Sequence, residues 1–154
     1  VRPGILSSDN RAWEYPERWN RDGTAPKVFG KTFQRILACQ PVSLLAWMRD
    51  HEPEKLPKIR WIFECKDYVR FCLTGEAFGE LTDYSGANLV NLETRDYDPE
   101  LLELFGLSGF RDRLPPCVRP PTSAAGSRRT PRDGRAWRRG PRSSAGCSTS
   151  TPAP

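Results

Sequence analysis

The sequence predicts an α/β domain over residues 1–117, followed by a disordered tail over residues 118–154. Two observations predict the domain. Short extended apolar segments alternate with segments that carry helix caps and helical spacing, and turn residues punctuate them. A third observation marks the tail. After residue 118 the chain becomes Arg, Pro, Ser, Ala and Gly with almost no apolar spacing, and such a segment cannot bury enough surface to offset its ordering entropy.

The elements follow in order. Residues 1–6, VRPGIL, read as a short strand, and SSDNRA closes it with Asp9, Asn10 and Arg11. Polar clusters at strand ends are common binding positions in α/β proteins, and equally common turn residues. The residues alone leave both readings open, the turn being favoured. A helix is expected over residues 12–20, with Pro16 in its first turn, and a loop over residues 23–27. Residues 41–48 read as a helix. Pro41 suits the first position, and Leu44, Leu45 and Met48 share one face. His51-Glu52-Pro53 stops it, and His51 is expected as a solvated surface group. A second helix is expected over residues 53–59, a short buried run at Trp61-Ile62-Phe63, and a third helix over residues 66–72 closed by Gly75. Residues 83–92 read as a loop leading into a strand. Asp98 caps a final helix with Pro99 at its first position, Leu101, Leu102, Leu104 and Phe105 supply its apolar face, and Gly106 ends it. Leu114-Pro115-Pro116 is an extended exit.

Charge divides unevenly. The net charge is +5, from 24 basic and 19 acidic residues. Residues 119–154 hold eight Arg and one Asp, which leaves 16 basic against 18 acidic residues in the rest. Any nucleic-acid reading is therefore a reading of the tail, where only Trp137 is available for stacking. None of the five cysteines (Cys39, Cys65, Cys72, Cys117, Cys147) belongs to a CxxC pair, and there is one histidine, which argues against a zinc site. No signal peptide opens the chain and no apolar run is long enough to span a membrane, so a cytoplasmic protein with reduced thiols is expected.

One stretch is specific. KDYVRFCLTGEAFGELTDYSGANLVNLETRDYDPELLELFGL, residues 66–107, resembles the FGGY carbohydrate kinases, which show K-D-Y-hydrophobic-R, L-T-G-E, T-D-x-S, a P-E-L-L helix and L-P-P in this order. VRPGILSSDNRA (1–12) and PVSLLAW (41–47) resemble the family's preceding segments, nearest to the L-xylulose kinase-like branch. The resemblance covers residues 1–117. It implies part of an N-terminal domain with the actin-like, ribonuclease H-like ATPase fold. It further implies phosphoryl transfer from ATP, with Mg2+, to a sugar hydroxyl, on a ketopentose such as L-xylulose or on an erythritol-like polyol. Ser7 falls where many relatives place a Trp against the substrate. Asp9 and Arg11 match the family's polar pair. Cys39 and Gln40 fall near a substrate-contacting Tyr of glycerol-type relatives. Ser7, Asp9 and Gln40 are thus candidate sugar contacts, while Asp67–Tyr68 and Thr82–Asp83 are expected to be structural. The implied partners are the sugar and ATP in a longer enzyme, with a homodimer allowed and neither nucleic acid nor membrane expected.

The departures matter. The family's Asp-x-Gly-Thr phosphate loop and its G-x-x-D-x-x-A catalytic motif are not among these 154 residues, so no catalytic, ATP-binding or metal-binding residue is assigned in this chain. A shifted frame offers an account of the second. When codons are built from the last base of one and the first two of the next, residues 140–152 can encode G-T-P-V-V-G-G-L-F-D-V-D-A, and residues 134–139 can encode T-G-L-A-E. The family is expected to carry T-G-L-x-x-G-T-P-V-V-G-G-L-F-D-V there, with the catalytic Asp encoded across Ser148 and Thr149. The chain is accordingly expected to be an internal piece of a kinase with a frame slip near Pro120–Pro121, a non-catalytic fragment with an Arg-rich nucleic-acid arm being the alternative.

Overall fold

The computed structural model describes residues 4–118. The expected tail and its shifted-frame reading lie outside the described residues from 119 onward, as do residues 1–3 of the expected first strand.

Six helices and four short strands follow the turn at residues 6–9: α1 (Glu14–Arg21), α2 (Thr24–Thr32), α3 (Pro41–His51), α4 (Cys65–Thr74), β1 (Gly79–Glu80), α5 (Leu81–Tyr84), β2 (Val90–Asn91), β3 (Asp96–Tyr97), α6 (Pro99–Leu104) and β4 (Cys117–Val118). Short 3₁₀ segments lie at Pro53–Lys58, Ser85–Ala87 and Ser108–Arg113. β1 and β4 pair in parallel, Gly79 opposite Cys117 and Glu80 opposite Val118. β2 and β3 pair antiparallel, Val90 opposite Tyr97 and Asn91 opposite Asp96.

Local chemistry explains most elements. α1 starts with Glu14 and Glu17 and ends with Arg18 and Arg21, charges that complement the helix dipole. Its Tyr15 and Trp19, four residues apart, are the buried face. α3 places Pro41 at its start, where the missing N–H costs nothing. α6 is capped by Asp98, whose Oδ1 accepts the N–H groups of Glu100 at 2.9 Å and Leu101 at 3.4 Å.

Four expectations are corrected. Residues 23–27, expected as a loop, open α2. Asp22 Oδ1 accepts the Thr24 N–H at 2.9 Å, and Pro26 sits in the first turn, where it is tolerated, so residues that usually break a helix here begin one. Residues 4–6 form no strand pair among the described residues; the Leu6 carbonyl instead accepts the Asp9 N–H at 3.0 Å. Residues 53–58 form a 3₁₀ segment rather than an α-helix, with Pro57 inside it. The approach to β2 is helical, because a Glu80 side-chain oxygen accepts the Thr82 N–H at 3.1 Å and starts α5.

One core joins these pieces. Trp19 of α1 meets Phe105 edge-on at 4.7 Å, and Tyr84 meets Tyr97 edge-on at 5.6 Å. Val42, Leu45 and Ala46 of α3 and Leu101 and Leu102 of α6 fill the space between. Arg49 of α3 donates through Nη1 to the carbonyls of Phe105 (3.0 Å) and Gly106 (2.9 Å), placing a cation at the C-terminal end of α6. α4 is different. Only Asp67 of its ten residues is buried, while Tyr68, Val69 and Leu73 are exposed.

Candidate functional site

The three candidate residues fall in two places, the turn before α1 and the start of α3. The first is the turn at residues 6–11. Ser7 is exposed within it. Asp9 accepts from the backbone N–H of Arg11 (3.0 Å) and pairs with its guanidinium, Nε at 2.9 Å and Nη2 at 2.8 Å. The Arg11 guanidinium also lies 4.9 Å from the centre of the Trp47 ring, and Trp47 stacks on His51 at 4.7 Å with only 7° between the planes. The hydrogen bond from Arg11 to Asp9 raises the Arg11 pKa. This turn is therefore tied to the middle of α3 by a column of side chains, with Ser7 on its outside.

The second place is the N-terminus of α3, about 10 Å from Trp47 along the helix axis at 1.5 Å per residue. Gln40 Oε1 accepts the Leu37 N–H (2.8 Å) and an N–H of the Asn88 amide (2.7 Å). Its Nε2 donates to the Gly86 carbonyl at 3.2 Å. Asn88 is fully buried and holds a left-handed backbone, φ 59°. Its Nδ2 also donates to the Arg35 carbonyl (3.2 Å), and its Oδ1 lies 2.9 Å from the buried Thr32 hydroxyl. The candidate at position 40 thus rests on a buried amide network that joins α2, α3 and the 85–88 turn. Asn88 was not singled out from the sequence. The available signal was an Asn after small residues, the type that tolerates a left-handed backbone.

The motifs expected to be structural form a charged knot between α4 and α5. Asp67, fully buried, pairs with Arg70 at 2.9 Å and accepts the Glu80 N–H at 3.3 Å. Lys66 bonds Glu80 and lies 3.2 Å from Asp83. The bond to Lys66 holds Glu80 down to about 2. Burial, with Asp83 and Asp67 nearby, pushes Glu64 up to about 7. Among the described residues no group of three or more His, Cys, Asp or Glu is placed to hold a metal ion. Nor is any helix among them long and apolar enough to cross a membrane.

The FGGY family of carbohydrate kinases, N-terminal domain, matches residues 1–130. The chain belongs to this family. It is 44% identical over 115 residues to a protein named probable L-xylulose kinase from Pasteurella multocida, covering 75% of this chain and 24% of that one. It is 41% identical over 114 residues to the L-xylulose/3-keto-L-gulonate kinase of Escherichia coli, covering 74% of this chain and 23% of that one. Among solved structures, a ligand-bound xylulose kinase from Lactobacillus acidophilus superposes with a TM-score of 0.70 at 25% identity, over 78% of this FGGY chain and 24% of the other. A Plasmodium falciparum glycerol kinase, at 19% identity and a TM-score of 0.68, shares the fold. The expected α/β sugar-kinase fold class therefore holds. This FGGY chain spans about a quarter of the length of these relatives.

Proposed function

We propose that this chain is the sugar-facing part of an ATP-dependent FGGY kinase that phosphorylates a ketopentose hydroxyl, with L-xylulose as the first acceptor to test. The identity of 44% and 41% to two proteins named for L-xylulose carries this reading. In it the turn bearing Ser7 and Asp9 and the start of α3 bearing Gln40 position the sugar. ATP and Mg2+ supply the phosphoryl group and its charge neutralisation, and residues outside this segment hold them. The described residues bind and orient; no proton transfer is assigned to them. An exposed Ser7 in place of a bulky side chain leaves room beside the substrate carbons.

We further propose that the chain is read out of frame beyond a slip near Pro120–Pro121. The span that re-encodes as the family motif, residues 140–152, is the support. On this reading the 154-residue polypeptide does not catalyse, and the enzyme is the product of the restored frame with its upstream segment. The test is to sequence the gene with its flanks, express the restored full-length product, and assay ATP-dependent phosphorylation of L-xylulose, D-xylulose and erythritol in parallel. Turnover highest on L-xylulose supports the reading. Turnover confined to erythritol moves the acceptor class. A frame confirmed as written, with no phosphate loop upstream, defeats the enzyme reading.

A further inference from the structure

The network around Gln40 fixes which way its amide faces, and so what it can offer a ligand. Backbone groups decide the orientation. The Leu37 N–H can only donate, so the Gln40 atom 2.8 Å from it is the oxygen. The Gly86 carbonyl can only accept, so the atom 3.2 Å from it is the nitrogen. The same logic fixes Asn88. The Arg35 carbonyl demands its nitrogen, which then also donates to Gln40 Oε1 at 2.7 Å, and its oxygen is left to receive the Thr32 hydroxyl at 2.9 Å. Reversing either amide would set two acceptors, or two donors, face to face.

Both lone-pair directions of Gln40 Oε1 are therefore used, by Leu37 and Asn88. Of the two Nε2 hydrogens one goes to Gly86, and the other has no partner among the described residues, while the side chain is part-exposed. We propose that Asn88 is a positioning residue that locks the Gln40 amide oxygen inward, so that Gln40 presents only an N–H outward and selects a substrate bearing an acceptor oxygen there, a hydroxyl lone pair or a keto oxygen. This rests on the reading of Gln40 as a sugar contact.

The experiment is a set of four variants in the restored full-length kinase, with kcat and KM measured separately for sugar and for ATP, and folding checked by circular dichroism. Gln40→Ala removes the contact. Gln40→Glu keeps the shape and the inward acceptor but puts an oxygen where the N–H was. Asn88→Asp keeps the shape but faces Gln40 Oε1 and the Arg35 carbonyl with an oxygen. Asn88→Gly keeps the left-handed backbone, which glycine adopts freely, and removes only the amide, so it stands in should the Asp variant fail to fold. The expected result is a sugar KM raised about tenfold in all four, the loss of roughly one hydrogen bond, with kcat and the ATP KM within about twofold. If Gln40→Ala raises the sugar KM and both Asn88 variants leave it unchanged, the positioning role is overturned while the contact survives. If Gln40→Glu retains the native sugar KM, donor-only recognition is overturned. If Gln40→Ala changes nothing, the contact itself is wrong and the proposal falls with it.

Discussion

Gly106→Ala tests how α6 is fastened to α3. Gly106 has φ 67°, and a Cβ there would lie 2.5 Å from Arg49 Nη1. Two costs follow. A left-handed alanine loses ~1–2 kcal/mol through its own backbone. Displacing the guanidinium weakens its bonds to the Phe105 and Gly106 carbonyls, of a kind worth ~1.5–3 kcal/mol when charged. Arg49→Ala loses those bonds together with its pairing to Asp50, Nε at 2.6 Å and Nη2 at 2.7 Å, but meets no collision. In the double variant the collision has nothing to hit, so the costs are sub-additive by ~1 kcal/mol, a normal coupling for touching groups. Hydrogen exchange of the 98–107 peptide in the restored full-length kinase reads this locally, because the amides of Phe105, Gly106 and Leu107 close the end of α6. Gly106→Ala should speed exchange there about 10- to 100-fold, and the double variant should fall about fivefold short of the product of the singles, at tenfold per 1.4 kcal/mol. Strict additivity would show that Arg49 and Gly106 do not share the contact.

The other predictions rest on separate features. Asp98→Ala should cost more than the ~1 kcal/mol of the lost cap on α6, because Asp98 Oδ2 also accepts from Lys31 Nζ and Asn91 Nδ2, each at 2.9 Å, while Asp98→Asn should recover the cap alone, both read by the same exchange experiment. Glu64 has a folded pKa of about 7, above its ordinary 4.5. Its contribution is therefore fully present below pH ~4.5 and is lost as pH rises through ~7, and Glu64→Gln should flatten that fall in melting temperature. A melting curve that keeps its full slope in this window after the substitution would remove Glu64 as the cause. The 154-residue chain alone should bind a hydrophobic dye and melt without a cooperative step, because β1–β4 is a two-strand parallel pair and α4 exposes Tyr68, Val69 and Leu73. A sharp calorimetric transition would show that the segment is self-sufficient.

Elements defined by neighbours in sequence were legible. Pro41 and Asp98-Pro99 mark helix starts by groups that act within three residues, and Gly75 and Gly106 mark ends the same way. The failures are equally local in origin but reversed in sign. Gly23 and Pro26 read as a loop because both residues disfavour helix interiors, yet Asp22 accepts the first N–H of α2 and Pro26 occupies a first turn. Glu80 is not among the preferred cap residues, so α5 carried no visible start.

The site was legible only as far as the family pattern reached. Resemblance pointed to Gln40, but its surroundings come from residues 46 and 48 positions away in sequence, Gly86 and Asn88. No periodicity records such a pairing, because hydrogen bonds between distant amides leave no spacing signal. Asp9 shows the opposite limit. Its partner Arg11 is two residues away, so the turn could be foreseen, yet the stack of Arg11 on Trp47 that ties this turn to α3 could not. The two candidate places are therefore linked through one helix, Gln40 at its start and Trp47 two turns on. A substitution that shifts α3 along its axis should disturb both together, whereas one confined to Asn88 should disturb Gln40 alone. That difference separates a rigid shared support from two independent contacts.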